Sequence, residues 1–172
     1  GMARIVELVH RAAMDRQPDA VGAVGRMEVW PNSRNVIPGR AVFTIDIRSP
    51  EQGKLDAMRA AIEAEAPAIA AELGLGIEIE AVGHFDPVTF DPGLAQSLRG
   101  ICDRLGLSWR DIVSGAGHDA CWVARVAPTV MIMCPCEGGL SHNEAEAITP
   151  DWARAGTDVL LHAVLEAAEV VA

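Results

Sequence analysis

Between residues 2 and 82 the spacing of apolar residues runs in the order helix, strand, strand, helix, strand, and that order restricts the fold more than any single motif. Ile5, Leu8, Val9 and Ala12 recur at helical spacing and predict an amphipathic helix over residues 3–14, ended by Gln17-Pro18-Asp19. Residues 21–30 alternate, with Met27 and Val29 on one face and Arg26 and Glu28 on the other. A polar, turn-rich loop over 31–39 leads to the cleanest strand in the chain, 41–48, where Phe43, Ile45 and Ile47 share one face and Thr44, Asp46 and Arg48 the other. The two strands read as an antiparallel pair with one buried face. Leu55, Met58, Ile62, Ala66, Ile69 and Leu73 mark a long helix that Pro67 is expected to kink or split. Gly74 and Gly76 close it, and 77–81 alternates as a third strand. This is the order of a ferredoxin-like α+β sandwich lacking its first strand.

The pattern changes near His84-Phe85-Asp86-Pro87, which predicts a boundary between residues 84 and 90 and two segments, 2–84 and 88–172. In the second segment Asp91 caps and Pro92 opens a helix carrying Leu94, Leu98, Ile101 and Leu105, stopped by Gly106. Residues 120–126 form a short helix ended by Pro128. Thr149-Pro150-Asp151 starts the last helix, with Trp152, Val159, Leu160, Ala163, Val164 and Ala167 expected on its core face.

The apolar run 129–133 reads as one buried strand, bracketed by two glycine–histidine loops, SGAGHDA at 114–120 and GGLSHNEAE at 138–146. Both histidines are thereby expected at one edge of a sheet. Gly115 and Gly117 let the backbone turn tightly and approach a ligand, while His118 and Asp119 sit where a helix begins. Gly138 and Gly139 free the second loop, and Ser141-His142-Asn143-Glu144 offers an imidazole flanked by polar groups.

Other residues read more simply. His10 is an ordinary surface histidine, Trp30 and Trp152 are core or interface aromatics, and Cys134-Pro135-Cys136, without C-x-x-C spacing, is structural. His118, Asp119 and Cys121 raise the rival idea of a Cys–His hydrolase, although nothing in the sequence shows an activated thiol. Half of the residues are apolar, enough for a core, and the net charge of -10 argues against nucleic acid or an anionic membrane as partner. The four cysteines lack the spacing of a secreted disulfide framework, and no signal peptide or membrane span is evident, so a reduced, cytoplasmic protein is expected. Gly1 ahead of Met2 reads as a tag-removal scar.

SGAGHDA, the apolar run, Pro135, Gly138-Gly139 and Ser141-His142 with acidic residues behind it together resemble the C-terminal part of the hydantoinase/carbamoylase amidohydrolases. These are N-carbamoyl-L-amino-acid hydrolases and allantoate amidohydrolases, related to dinuclear-zinc aminopeptidases and carboxypeptidases. The likeness extends to Asn35-Val36-Ile37-Pro38-Gly39 and to the strand ending Asp46-Ile47-Arg48, so it covers nearly the whole chain.

The resemblance implies an α/β protein: 2–84 as an incomplete ferredoxin-like lid or dimerisation domain, and 88–172 as the closing segment of a zinc-peptidase-like catalytic domain. It implies two metal ions, zinc or manganese, with His142 as one ligand, and His118 as a donor to the oxyanion that forms when water attacks a carbamoyl carbon. Gly115 and Gly117 bring backbone N–H groups near the substrate, and Asn35 and Arg48 hold its carboxylate, a task suited to a planar guanidinium. The alternative for His118 is a helix cap, and for Arg48 a solvated pair with Asp46.

One histidine does not hold a metal by itself. The family's other ligands, its general-base glutamate and its lid histidine have no counterpart before Met2. The expectation is therefore a truncated, inactive partial enzyme that pairs as a homodimer or with a separately encoded N-terminal half. A non-catalytic dimerisation or ligand-binding module, and aminoacylase or peptidase chemistry on the same scaffold, are the alternatives.

Overall fold

Ile5, Leu8, Val9, Ala12 and Ala13 are the buried stripe of helix α1 (Met2–Met14) in a computed structural model that describes residues 1–168. Strands β1 (Val21–Trp30) and β2 (Arg40–Arg48) follow and pair antiparallel, Val24 opposite Ile45 and Met27 opposite Phe43. Helix α2 (Gln52–Glu72) covers the same face as α1, and the buried cluster gathers Leu8, Val9, Met58, Ile62 and Ala66, with Val24, Phe43, Ile45 and Ile47 packed against it. The alternation of β2 is realised in full, Thr44, Asp46 and Arg48 lying on the exposed side.

Two local features set this packing. Between Val24 and Met27 the register shifts, so Gly25 and Arg26 together face Thr44, whose hydroxyl accepts the Arg26 N–H at 3.2 Å. The extra residue keeps Met27 on the face of its partner Phe43. Gly22 admits α1: a Cβ there would lie 3.2 Å from both Val9 Cγ1 and the Val9 carbonyl oxygen.

Pro67 neither splits nor ends α2. It sits on the exposed side of the helix, where the carbonyl that loses its partner is open to water. Residues 77–81, expected as a third strand, pair with nothing, and the sheet among the described residues is the β1–β2 hairpin alone. Alternation supplies an apolar face, but a strand also needs a neighbour to complete its ladder. Trp30 is not a core residue either; the residue is 41 % exposed, and the Arg40 guanidinium lies 5.0 Å from the centroid of its ring.

The chain divides into two compact units, the first ending at Pro87 and the second beginning at Val88. The second contains α3 (Pro92–Leu105), α4 (Ala120–Val123) and α5 (Pro150–Ala167). Asp91 Oδ1 accepts the Leu94 N–H at 2.8 Å, Pro92 opens the helix and Gly106 closes α3 in the left-handed region. Thr149 caps α5 by accepting the Trp152 N–H.

Helices α3 and α5 pack together through Ile101 and Val159, and Glu166 takes hydrogen bonds from Ser97 and Arg104. The inward face of α5 is narrower than predicted: Ala155, Gly156, Val159 and Ala163 turn in, whereas Trp152, Leu160 and Val164 are exposed. The run 129–133 is half-buried and not a buried strand: the Thr129 carbonyl accepts the Asp91 N–H at 2.9 Å, but no ladder neighbour continues that pairing among the described residues. The chain continues from it past Cys134, whose Sγ lies against Gly156 of α5. The residues from 169 onward, at the end of the predicted segment 88–172, lie outside the described residues. The fold is mixed α/β, and no described helix is long and apolar enough to cross a membrane.

Candidate functional site

In the first loop the backbone enters α4 through His118 and Asp119. The His118 carbonyl accepts the Cys121 N–H, and His118 Nδ1 accepts the Ala120 N–H at 3.0 Å. The imidazole therefore caps the helix, and this has a chemical consequence. A neutral ring whose Nδ1 is an acceptor carries its proton on Nε2. Nε2 is then a donor, suited to a developing oxyanion and unsuited to a metal in that tautomer.

The same geometry weighs against a Cys–His pair. His118 Nδ1 is engaged with the backbone, and no hydrogen bond joins the imidazole to the Cys121 thiol among the described residues. Gly115 and Gly117 differ from expectation. Neither has a positive φ, and a Cβ on either would meet nothing within 4 Å. The turn itself does not require glycine at these positions.

The second loop does use its glycines. Gly138 and Gly139 have φ of 64° and 68°, in the left-handed region that costs a side chain steric energy. The Glu137 N–H donates to the Ala147 carbonyl at 2.8 Å and ties the two ends of the loop together. At its tip His142 has φ 55°, although it is not glycine. Its N–H donates to Glu146 Oε2 at 2.9 Å, and its exposed imidazole makes no hydrogen bond among the described residues. Glu146 is the residue that sequence reasoning passed over. Its only signal was its place four residues after His142 in an acidic run.

Cys136 lies under this loop, its Sγ 3.8 Å from Glu146 Oε1. Burial, then the Glu146 charge, push its thiol above the usual range, which disfavours the reactive thiolate and fits a structural Cys134-Pro135-Cys136. The two histidine loops do not meet at a sheet edge, because the second unit has no sheet among the described residues.

In the first unit Arg48 closes β2 with its guanidinium fork on Asp46: Nε donates to Oδ1 at 2.9 Å and Nη2 to Oδ2 at 2.6 Å. This hydrogen-bonded pair holds the Asp46 carboxyl below the usual carboxylate range. Asn35 accepts the Ser33 hydroxyl at 2.8 Å through Oδ1, which leaves its amide N–H groups facing outward as donors.

Three or more His, Cys, Asp or Glu side chains grouped as a metal site do not occur among the described residues. A zinc centre takes three or four protein ligands, so these residues do not fit a complete metal site. His142 is a single imidazole.

Residues 1–166 match the model of peptidase family M20/M25/M40, whose members generally use divalent metal ions. An N-carbamoyl-L-amino-acid amidohydrolase of Rhizobium meliloti is 68% identical over 99% of this chain and 41% of its own length. An allantoate amidohydrolase of Escherichia coli is 39% identical over 71% of this chain and 30% of its own. A hydantoinase/carbamoylase-family amidase of Burkholderia multivorans superposes with TM-score 0.90 at 50% identity, over 96% of this chain and 40% of that one. The chain thus spans between about a third and two fifths of the length of these relatives. It belongs to peptidase family M20/M25/M40, beside the amidohydrolases of the hydantoinase/carbamoylase type.

Proposed function

We propose that this chain is part of an amidohydrolase that cleaves the carbamoyl C–N bond of an N-carbamoyl-L-amino acid, with water as co-reactant and the free amino acid, ammonia and carbon dioxide as products. The observation that carries this reading is the 68% identity with the Rhizobium meliloti enzyme, well above the 39% with the allantoate amidohydrolase. Amide hydrolysis needs a donor for the tetrahedral oxyanion, and His118, protonated on Nε2 by virtue of its cap, has that role. Arg48 and Asn35 take the substrate carboxylate; substrate replaces Asp46 on the guanidinium fork, exchanging one carboxylate for another.

His142 is one ligand of a divalent-metal site whose other ligands are not grouped with it among the described residues. The isolated chain is accordingly inactive and retains no stoichiometric zinc or manganese. It associates with a separately encoded N-terminal half or with a second copy. Leu160, Leu161, Val164 and Leu165, all substantially exposed on α5, support such an association.

The test has two arms. The chain alone is dialysed, its metal content measured, and N-carbamoyl-L-amino acids offered with added zinc or manganese; neither retained metal nor turnover is expected. A chimaera then carries this chain in place of the matching segment of the Rhizobium meliloti relative. The expected result is turnover that His142→Ala abolishes and that Arg48→Lys weakens chiefly through KM. A folded chimaera without activity, or an active one indifferent to His142→Ala, refutes the reading.

A further inference from the structure

His142 and Asn32 are the two non-glycine residues with positive φ among the described residues, at 55° and 54°. Side chains are uncommon in that region, although asparagine and histidine enter it more readily than most, so the contacts around residue 142 decide how firmly it is held there. What holds it is a closed ring of hydrogen bonds within residues 142–146. Glu146 Oε2 accepts the His142 N–H at 2.9 Å, Asn143 Oδ1 accepts the Ala145 N–H at 2.9 Å, and the Asn143 carbonyl accepts the Glu146 N–H at 2.9 Å. The 2.8 Å bond from the Glu137 N–H to the Ala147 carbonyl shuts the base of the loop.

Two of these contacts are local turn bonds that many sequences make. The bond from His142 to Glu146 is different, because a carboxylate side chain folds back on the left-handed residue itself. An ionised acceptor makes the stronger kind of hydrogen bond.

We propose that Glu146 is the positioning residue of the second histidine loop: its carboxylate clamps the His142 N–H, keeps residue 142 left-handed, and so fixes the direction in which the imidazole leaves the loop. Glu146 touches the backbone of His142 and leaves both ring nitrogens unengaged. It therefore sets the ring's orientation without competing for it. This rests on the reading of His142 as a functional imidazole, but the clamp is testable without turnover.

The experiment uses the isotope-labelled chain and compares wild type, Glu146→Ala and Glu146→Gln by NMR. Loss of a hydrogen bond to a charged acceptor is expected to speed exchange of the His142 amide by about tenfold or more in Glu146→Ala. The amides of α3 and α5 keep their protection and the His142 ring signals move. Glu146→Gln, which keeps a neutral oxygen acceptor, restores the ring signals and part of the protection. Wild-type exchange and ring signals in Glu146→Ala overturn the proposal. If Glu146→Ala also exposes α3 and α5, Glu146→Gln decides: selective acceleration at His142 supports the clamp, and uniform loss across the unit overturns it.

In the chimaera, Glu146→Ala should lower turnover and Glu146→Gln should restore part of it, whereas wild-type turnover in Glu146→Ala overturns a positioning role. An inactive chimaera refutes the proposed function and leaves the exchange result standing. Unchanged exchange refutes the clamp and leaves the chimaera's activity standing.

Discussion

Replacing Gly156 by alanine puts a methyl group where Cys134 Sγ already is. A Cβ at this position falls closer than 3.0 Å to that sulfur, whereas ordinary contact begins at 3.4 Å. The sulfur has one torsion with which to escape, and the segment that carries it is packed on α5. Overpacking of this kind costs about 1–3 kcal/mol. Against it stands the helix propensity of alanine over glycine in a helix interior, about 1 kcal/mol in favour of the variant. The net expectation for Gly156→Ala is a loss of about 1 kcal/mol.

Cys134→Ala removes the obstacle, so Gly156→Ala made in the Cys134→Ala background should stabilise by about 1 kcal/mol. The sign reverses between backgrounds, with a coupling of about 2 kcal/mol. Urea unfolding of the four proteins, at constant m, measures this cycle. Fluorescence is the probe, since Trp109, Trp122 and Trp152 all belong to the second unit; a Trp30→Phe background silences the first. A Gly156→Ala effect equal in both backgrounds within about 0.5 kcal/mol refutes the packing argument. The site shares in the outcome, because the segment anchored at Gly156 runs directly into the His142 loop.

In the first unit Gly22→Ala drives a methyl group to 3.2 Å from the Val9 carbonyl and 3.3 Å from the Ala13 Cβ, so α1 has to lift from the hairpin. A loss of about 1–3 kcal/mol is expected in urea midpoints, and a neutral result shows that α1 is not held by this close approach. The Asp46–Arg48 pair predicts a pH dependence with a definite sign. Because hydrogen bonding to Arg48 lowers the folded carboxyl's pKa, the pair's contribution is complete above the unfolded value of about 3.9 and disappears as pH falls through the lower folded value. Both side chains are half-exposed, which limits the effect to under about 1 kcal/mol. Asp46→Asn should therefore cost more stability at pH 6 than at pH 2, and an equal cost at both pH values excludes the ion pair as its source.

What was legible in the sequence was local. Asp91, Pro92 and Gly106 delimit α3, and Thr149 begins α5, because a cap is chemistry between residues three or four apart. The stripe of α1 and the alternation of β2 were equally readable, since each records a single buried face. His118 and His142 were legible as candidates, each beside glycines in a polar loop, and the family resemblance followed from those same residues.

Tertiary structure decided what depends on a distant neighbour. Residues 77–81 and 129–133 have the composition of strands, yet a ladder is made by two segments and composition describes only one. Packing against α3 and Cys134 turned the small residues of α5 inward and left Leu160 and Val164 exposed, against their hydropathy. Only the folded loop shows that Glu146 reaches back to the His142 N–H, that His118 spends Nδ1 on a cap, and that Arg48 is turned onto Asp46. The sequence alone determined which side chains can do chemistry, because that is a property of each residue. Their hydrogen-bond partners, and hence the tautomer, direction and charge with which they act, were decided by the fold, because a hydrogen bond depends on where two groups are brought in space.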